Sequence, residues 1–256
     1  LYVKLSNIFN SERVFYIVTT SFLVVFFVFS FYLYPNQESC HPSEGIISEM
    51  IKNYPHLQWF IKLASKWSYA LIYVFAELWS VVVINLMFWQ FVNHIVDTQR
   101  AKRLYPYIVL IGNIGLVAAG NMIVYCTNTD SSLFKYFTYM NFSYSNHTEV
   151  TLKLITTLIC IVGFAAMLLL RYMHSYVFKH IPKENLYHPP SDTKTSLSMS
   201  ESIDLLIKSK YIGYILVMVL CYGLVINVVE GPWKDSLGRL YPSTNEYLAF
   251  MGSFNI

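Results

Sequence analysis

Two acidic residues lie inside long apolar segments of this 256-residue sequence. Glu77 is the only Asp, Glu, Lys or Arg between positions 67 and 96, and it stands in the stretch VFAELWSVVVINLMFW (74–89). A charged side chain at the centre of a bilayer costs about 2.5–3.5 kcal/mol on an insertion scale. Glu77 therefore needs a partner, a hydrated cavity or a bound proton. It is either a functional group or one half of a structural hydrogen bond between helices.

Glu230 stands at the end of another apolar segment, GLVINVVEGPWK (223–234). At about 100° per residue, Gly223, Asn227 and Glu230 fall on one narrow stripe of a helix, which indicates a cavity or a neighbouring helix and not lipid. Pro232 follows closely, so we expect the helix to break or bend just beyond Glu230. The alternative is an ordinary helix end, with Glu230 at the membrane interface.

Two further residues complete the set of candidates for a binding site. Asn85 lies about 80° round an ideal helix from Glu77 and ranks below it. Lys234 follows Glu230 by four residues, near the end of its segment. The sequence has no glycine-rich phosphate-binding motif, no metal-ligand cluster and no Ser/His/Asp constellation. It therefore predicts neither an enzyme nor a cofactor.

Long apolar segments must position these residues. The chain is 55% hydrophobic and only 13% charged, whereas a soluble domain carries about 25% charged residues. Each segment supplies the roughly 20 apolar residues that a spanning helix needs, and none alternates like a barrel strand. The sequence therefore predicts an all-α, multi-pass protein of the lipid bilayer. The predicted spans are 14–34, 68–93, 105–126, 152–178 and 207–230, with another helix beginning at 243.

The basic residues predict the orientation of these spans. Eleven of the 18 Lys and Arg residues fall in 1–13, 94–104 and 171–210, and the positive-inside rule therefore places Leu1, 94–104 and 179–205 in the cytoplasm. The net charge of +3 is too small to predict a nucleic-acid partner. The polar, proline-containing stretch 182–200 is typical of a cytoplasmic linker that joins two helical bundles, here 1–181 and 201–256.

Two further patterns predict local structure. In the outer loop 36–66, Ile47, Met50, Ile51 and Tyr54 recur at helical spacing and predict a short amphipathic helix. In the third span, Gly115 and Ala119 form a small-xxx-small pair that favours close packing against another helix.

Short motifs along the whole chain resemble one known family. They are AELW (76–79), MFW (87–89), AKRLYP (101–106), NVVE (227–230) and AFMG (249–252). Found together and in this order, they resemble the TLC-type nucleotide transporters, the ATP/ADP translocases of rickettsiae, chlamydiae and plastids. The first residue is Leu1, and the chain stops within what looks like another helix, so we interpret it as an internal fragment of such a protein.

The resemblance implies twelve spans in a major-facilitator-like arrangement of two six-helix halves. It also implies exchange of ATP for ADP, or import of other nucleotides, across a membrane such as the bacterial inner membrane. Acids at the AELW and NVVE positions are implicated in transport in that family, which corresponds to Glu77 and Glu230 here. Nucleotide phosphates should meet Lys or Arg. Because the five spans hold no basic residue at mid-membrane, we expect most of these cations in the missing remainder of the transporter.

The main hypothesis is therefore a nucleotide antiporter that works by alternating access. Glu77, Asn227 and Glu230 would line its site near mid-membrane, with Asn85 and Lys234 as further candidates. One rival is a carrier of other nucleotides or of another solute. A second rival is a non-transporting remnant of a split gene, and a membrane-embedded enzyme is a more distant alternative.

Overall fold

The computed structural model describes residues 11–96, 98–140, 146–177 and 208–254, and all of their regular elements are helical. Five helices are long and apolar enough to cross a membrane, which confirms the all-α, multi-pass prediction. We number them spans 1 to 5: Glu12–Leu33, Trp67–Asn93, Arg100–Thr127, His147–Tyr176 and Lys210–Leu240. The predicted linker 182–200 lies outside the described residues.

Three spans contain π-helical segments, in which each backbone hydrogen bond closes one residue later than in an α-helix. In span 1, Ser11–Val28 continues as the π-helix Phe29–Leu33. In span 4, His147–Tyr172 continues as the π-helix Met173–Val177. Span 2 is the most divided, and its successive segments are Trp67–Trp79, the π-helix Ser80–Phe88 and Trp89–Ile95.

Span 5 is one continuous α-helix, Lys210–Leu240, and it passes through Pro232. Of the two predicted outcomes just beyond Glu230, the break is therefore wrong, and the bend stays a prediction. In a membrane the helix supplies its own backbone hydrogen bonds, so unwinding it would expose more polar groups than the one lost at proline. Ser236 donates its hydroxyl hydrogen to the Pro232 carbonyl oxygen at 2.9 Å, just beyond the proline.

Short helices connect the spans. The predicted short amphipathic helix is present as Glu44–Asn53 and ends one residue before Tyr54. Ile47 and Ile51 are half-buried, whereas Met50 and Tyr54 are exposed. The remaining helical segments outside the spans are Gln37–Cys40, Pro55–Leu57 (a 3₁₀ turn), Gln58–Ser65, Ser132–Tyr139 and Thr244–Phe254. Span 3 belongs to a single longer α-helix, Thr98–Thr127.

Span 1 packs between spans 2 and 4. Its face toward span 2 carries buried Phe22, whose ring lies 5.7 Å from that of Phe75 and 5.6 Å from that of Trp79. Toward span 4, the buried hydroxyls of Ser30 and Thr156 are hydrogen-bonded at 2.5 Å. The buried cluster between spans 1 and 2 is Val14, Val18, Phe22, Phe26, Val83 and Met87. This packing fixes which face of span 2 is left open.

The helix Thr244–Phe254 packs against span 3 at a glycine. A Cβ atom added to Gly252 would lie 2.9 Å from the Gly120 carbonyl oxygen, so only glycine fits there without a shift. A Cβ atom at Gly115 would meet nothing within 4 Å among the described residues. Among the described residues the close approach in span 3 is made at Gly120, and the packing predicted for the Gly115 and Ala119 pair stays a prediction.

Candidate functional site

Spans 2 and 5 bring three of the predicted site residues together. The Lys234 ammonium forms an ion pair with the Glu230 carboxylate of the same helix, with 2.7 Å between Nζ and Oε1. Glu77, on span 2, is close enough to attract the same ammonium electrostatically. The Lys234 and Glu230 side chains are 31% and 35% exposed, so the pair is neither buried nor fully solvated. Lys234 is therefore paired with Glu230 on its own helix and is attracted only at longer range by Glu77 on span 2.

The polar residues of span 5 form a single stripe. Because the helix is continuous, Gly223, Asn227, Glu230 and Lys234 fall within about 60° of one another round its axis. Asn227 is exposed, and its amide donates to the Gly223 carbonyl oxygen at 2.8 Å. Asn227 thus lies beside the ion pair on the same face, with its amide oxygen left for another donor.

The π-helix of span 2 changes the place of Asn85. On an ideal α-helix, Asn85 lies about 80° from Glu77. A π-helix turns once in roughly 4.4 residues, so the five steps from Ser80 bring Asn85 to within about 20° of Glu77. Both side chains are exposed, while Val83 and Met87 of the same segment are buried against span 1. Glu77 and Asn85 therefore share the face of span 2 that points away from span 1.

Comparison with known proteins decides the family. The model of the family described as "TLC ATP/ADP transporter" matches residues 1–256. This chain belongs to the TLC ATP/ADP transporter family. The expected membership is thus confirmed over the whole sequence, and the five apolar helices fit the multi-pass membrane character of the family.

Curated relatives of this TLC-family chain carry matching names. It is 50% identical to ADP,ATP carrier protein 3 of Rickettsia bellii over 100% of its own length and 52% of the relative's. It is 46% identical to ADP,ATP carrier protein 3 of Rickettsia prowazekii, and 35% identical to ADP,ATP carrier protein 4 of Rickettsia conorii. The chain spans about half the length of the curated relatives it matches. No solved structure matches the chain.

One residue beside the candidate site was not singled out from the sequence. The Lys234 ammonium lies 5.3 Å from the centre of the Tyr73 ring, in the range of a cation–π contact. Tyr73 precedes Glu77 by four residues and so lies on the same face of span 2. The chain has 21 tyrosines, and only the i, i+4 spacing to Glu77 could have singled this one out.

A second ion pair was also missed, and it is almost fully buried. Lys153 donates to the Glu149 carboxylate at 2.6 Å within span 4, and the two residues are 5% and 1% exposed. The Lys153 ammonium also lies 5.9 Å from the centre of the Phe31 ring on span 1. The Glu-x-x-x-Lys spacing at the start of an apolar run was the available signal.

A hydrogen-bonded cluster holds the start of span 2 against the preceding loop. His41 Nε2 lies 2.8 Å from the Ser68 hydroxyl oxygen, and the Trp67 indole donates to the Cys40 carbonyl oxygen at 3.2 Å. Burial, and then the nearby positive charge of Lys66, lower the pKa of His41. This cluster positions the span that carries Tyr73, Glu77 and Asn85.

The charges of the candidate site indicate how it can act. Glu77, Glu230 and Lys234 together carry a net charge of −1 when all are ionised. The ammonium can exchange a carboxylate partner for the phosphate oxygen of a ligand, because both are acceptors of charge-assisted hydrogen bonds. Among the described residues, no group of three or more His, Cys, Asp or Glu is placed to hold a metal ion.

Proposed function

We propose that the complete protein exchanges ATP and ADP across the bacterial inner membrane by alternating access. Family membership and the relatives' names, ADP,ATP carrier proteins, support this function. The part of the relatives' length that this chain does not span would supply the remaining walls of the passage. This chain would contribute spans 2 and 5, one to each six-helix half, and 182–200 would be the cytoplasmic linker between those halves.

Glu77, Glu230 and Lys234 form the proposed translocation site in this chain, with Asn227 and Asn85 as flanking polar groups. The observation that carries this assignment is the Lys234 ammonium held by Glu230 and attracted by Glu77 across two spans. A bare cation in a low-dielectric passage is costly once its anionic ligand leaves. The acids neutralise Lys234 between turnovers, and a nucleotide phosphate replaces Glu230 when it arrives.

If Lys234 binds a phosphate, at least one of the expected phosphate-binding cations lies in this chain. Sequence reasoning had placed Lys234 near the end of its span and assigned most of these cations to the missing remainder. The helix continues six residues beyond Lys234, to Leu240, so Lys234 lies within the last two turns of a continuous helix and not beyond its end. Lys234 is thus a candidate phosphate ligand within this chain, alongside any that the other half supplies.

Uptake of labelled ATP tests the proposal. The full reading frame that encodes this chain is expressed in a bacterial host without such a carrier, and uptake is measured with and without internal ADP. We expect uptake that depends on internal ADP. Unlabelled CTP, GTP and UTP, added as competitors, distinguish an ATP/ADP exchanger from a carrier of other nucleotides. No uptake of any nucleotide would favour another solute or a remnant without transport.

Substitutions test the site separately. Glu77→Gln and Glu230→Gln should each lower exchange about 10- to 100-fold, as expected for loss of a charge-assisted interaction. Asp235→Asn is the matched control, because Asp235 lies on the same helix and forms an exposed pair with Arg239. If both Gln variants exchange as well as the control, the site assignment is wrong even though the protein transports.

A further inference from the structure

Tyr73 differs from the other aromatic residues near it on span 2. Phe75 and Trp79 turn toward span 1 and make edge-to-face contacts with Phe22. Tyr73 is 52% exposed, and its ring faces the Lys234 ammonium. Its ring therefore contributes little to the core of this chain. Its contact with Lys234 joins spans 2 and 5.

The ring and the acid restrain Lys234 from different directions. Glu230 holds the ammonium from one turn back on span 5, at 2.7 Å. The ring of Tyr73 approaches from span 2, with its centre 5.3 Å away. The face of an aromatic ring attracts a cation without carrying a net charge. When an anionic ligand draws Lys234 away from Glu230, the attraction between the ring and the ammonium persists. Because the ring carries no net charge, it needs no counter-charge of its own.

We propose that Tyr73 is a positioning residue that holds the Lys234 ammonium between spans 2 and 5, ready to bind the phosphate of the transported nucleotide. This inference rests on the proposed function. It goes beyond it by assigning a role to an uncharged residue. A lysine has four rotatable carbon–carbon bonds and loses much freedom on binding, so a residue that restrains it before the ligand arrives raises affinity.

Two substitutions at one position separate the ring face from the hydroxyl group. Tyr73→Phe keeps the face, and it should exchange ATP with an unchanged KM. Tyr73→Leu loses the face, and its KM for ATP should rise about 2- to 30-fold, with little change in the maximal rate. Tyr222→Leu is the control, because Tyr222 is also an exposed tyrosine of a span, 70% exposed, and lies outside the cluster.

A double-mutant cycle measures the contact without any nucleotide. In the purified full-length protein, Tyr73→Leu should lower Tm when residue 234 is lysine, and should lower it less in the Lys234→Met background. Tyr73→Phe should leave Tm unchanged in both backgrounds. A cycle without coupling overturns the proposal, whether or not the protein transports.

The two readouts separate the inference from the proposed function. Coupling in the cycle together with a raised KM for Tyr73→Leu supports both. Coupling with an unchanged KM overturns the positioning role and leaves only a structural contact. Coupling in a wild-type protein that carries no nucleotide overturns the proposed function, and with it the role toward phosphate, while the contact between Tyr73 and Lys234 stands.

Discussion

At the scale of single residues, the ion pair of Glu149 and Lys153 places two charged side chains in the interior of the protein. Both side chains are withdrawn from solvent, and each compensates the charge of the other. Removing one partner from a buried ion pair leaves an uncompensated charge, whereas replacing both can be nearly neutral. Loss of one partner should therefore cost more stability than the intact pair contributes.

Lys153→Met should destabilise the protein by about 3–5 kcal/mol, because it removes the ammonium that compensates the charge of the buried Glu149 carboxylate. The double variant with Glu149→Gln should recover much of this loss. Thermal unfolding of the purified protein in detergent measures both. Lys135→Met is the control, since the pair of Lys135 and Asp130 is exposed and its loss should change stability by about 1 kcal/mol or less. Equal losses in Lys153→Met and Lys135→Met would contradict the burial of the first pair.

His41 gives the outer loop a defined pH dependence. Its pKa is lowered in the folded protein, so the folded state favours the neutral imidazole. The contact with Ser68 is therefore fully stable above the unfolded pKa of about 6.5, and it weakens as pH falls from there toward the lower folded pKa. Hydrogen exchange at residues 66–69 should accelerate between pH 7 and pH 5. His41→Gln should remove most of this change, and an unchanged pH dependence in that variant would exclude His41 as its source.

The sequence could reveal only those site residues whose type is rare in a membrane span. Glu77 and Glu230 stand out because a charge in an apolar span is costly. Tyr73 does not stand out among 21 tyrosines, because aromatic residues are common in spans for ordinary packing. Its contact with Lys234 depends on how spans 2 and 5 approach each other, and that geometry is not encoded in either segment alone.

At the scale of secondary structure, the spans were predictable and their internal geometry was not. Length and hydropathy located all five helices. The π-helix Ser80–Phe88 left no such signal, because its residues are apolar except for Ser80 and Asn85 and show no clear period. Pro232 gave a signal that was misleading, because the backbone of a membrane helix remains helical where that of a soluble loop would not.

Cysteine labelling distinguishes the two geometries of span 2. With the four native cysteines replaced, Asn85→Cys should react with a water-soluble thiol reagent as readily as Glu77→Cys, and ATP should protect both. Ile84→Cys should react less, because the π-helix turns position 84 roughly 90° away from Glu77. An uninterrupted α-helix would reverse this order, since it places position 84 about 20° from Glu77 and position 85 about 80° away. Val83→Cys, buried against span 1, is the unreactive control.

At the scale of the whole molecule, burial is unevenly distributed among the spans. Span 1 is the most buried, while spans 3 and 5 have little or no burial within this chain. Those exposed faces are consistent with the proposal that the remaining half of the carrier packs here. The relation between the halves could not be predicted from this sequence, because most of one partner lies in the part of the relatives' length that the chain does not span.

One close contact joins distant parts of the chain. Gly252, in the helix Thr244–Phe254, packs against Gly120 of span 3. Gly252→Ala should destabilise the protein by about 1–3 kcal/mol, because its Cβ atom would lie 2.9 Å from a backbone oxygen that cannot rotate away. Gly238→Ala is the matched control. Nothing lies within 4 Å of a Cβ atom there, and alanine favours a helix over glycine by about 1 kcal/mol.

Thermal unfolding of the two variants should therefore shift Tm in opposite directions. If this contact is also where the two proposed halves meet, Gly252→Ala should lower the exchange rate more than its loss of stability explains, whereas Gly238→Ala should leave exchange unchanged. Equal Tm shifts in the two variants would show that span 3 and the final helix do not approach at Gly252. A lower Tm with a normal exchange rate would assign the contact to folding alone.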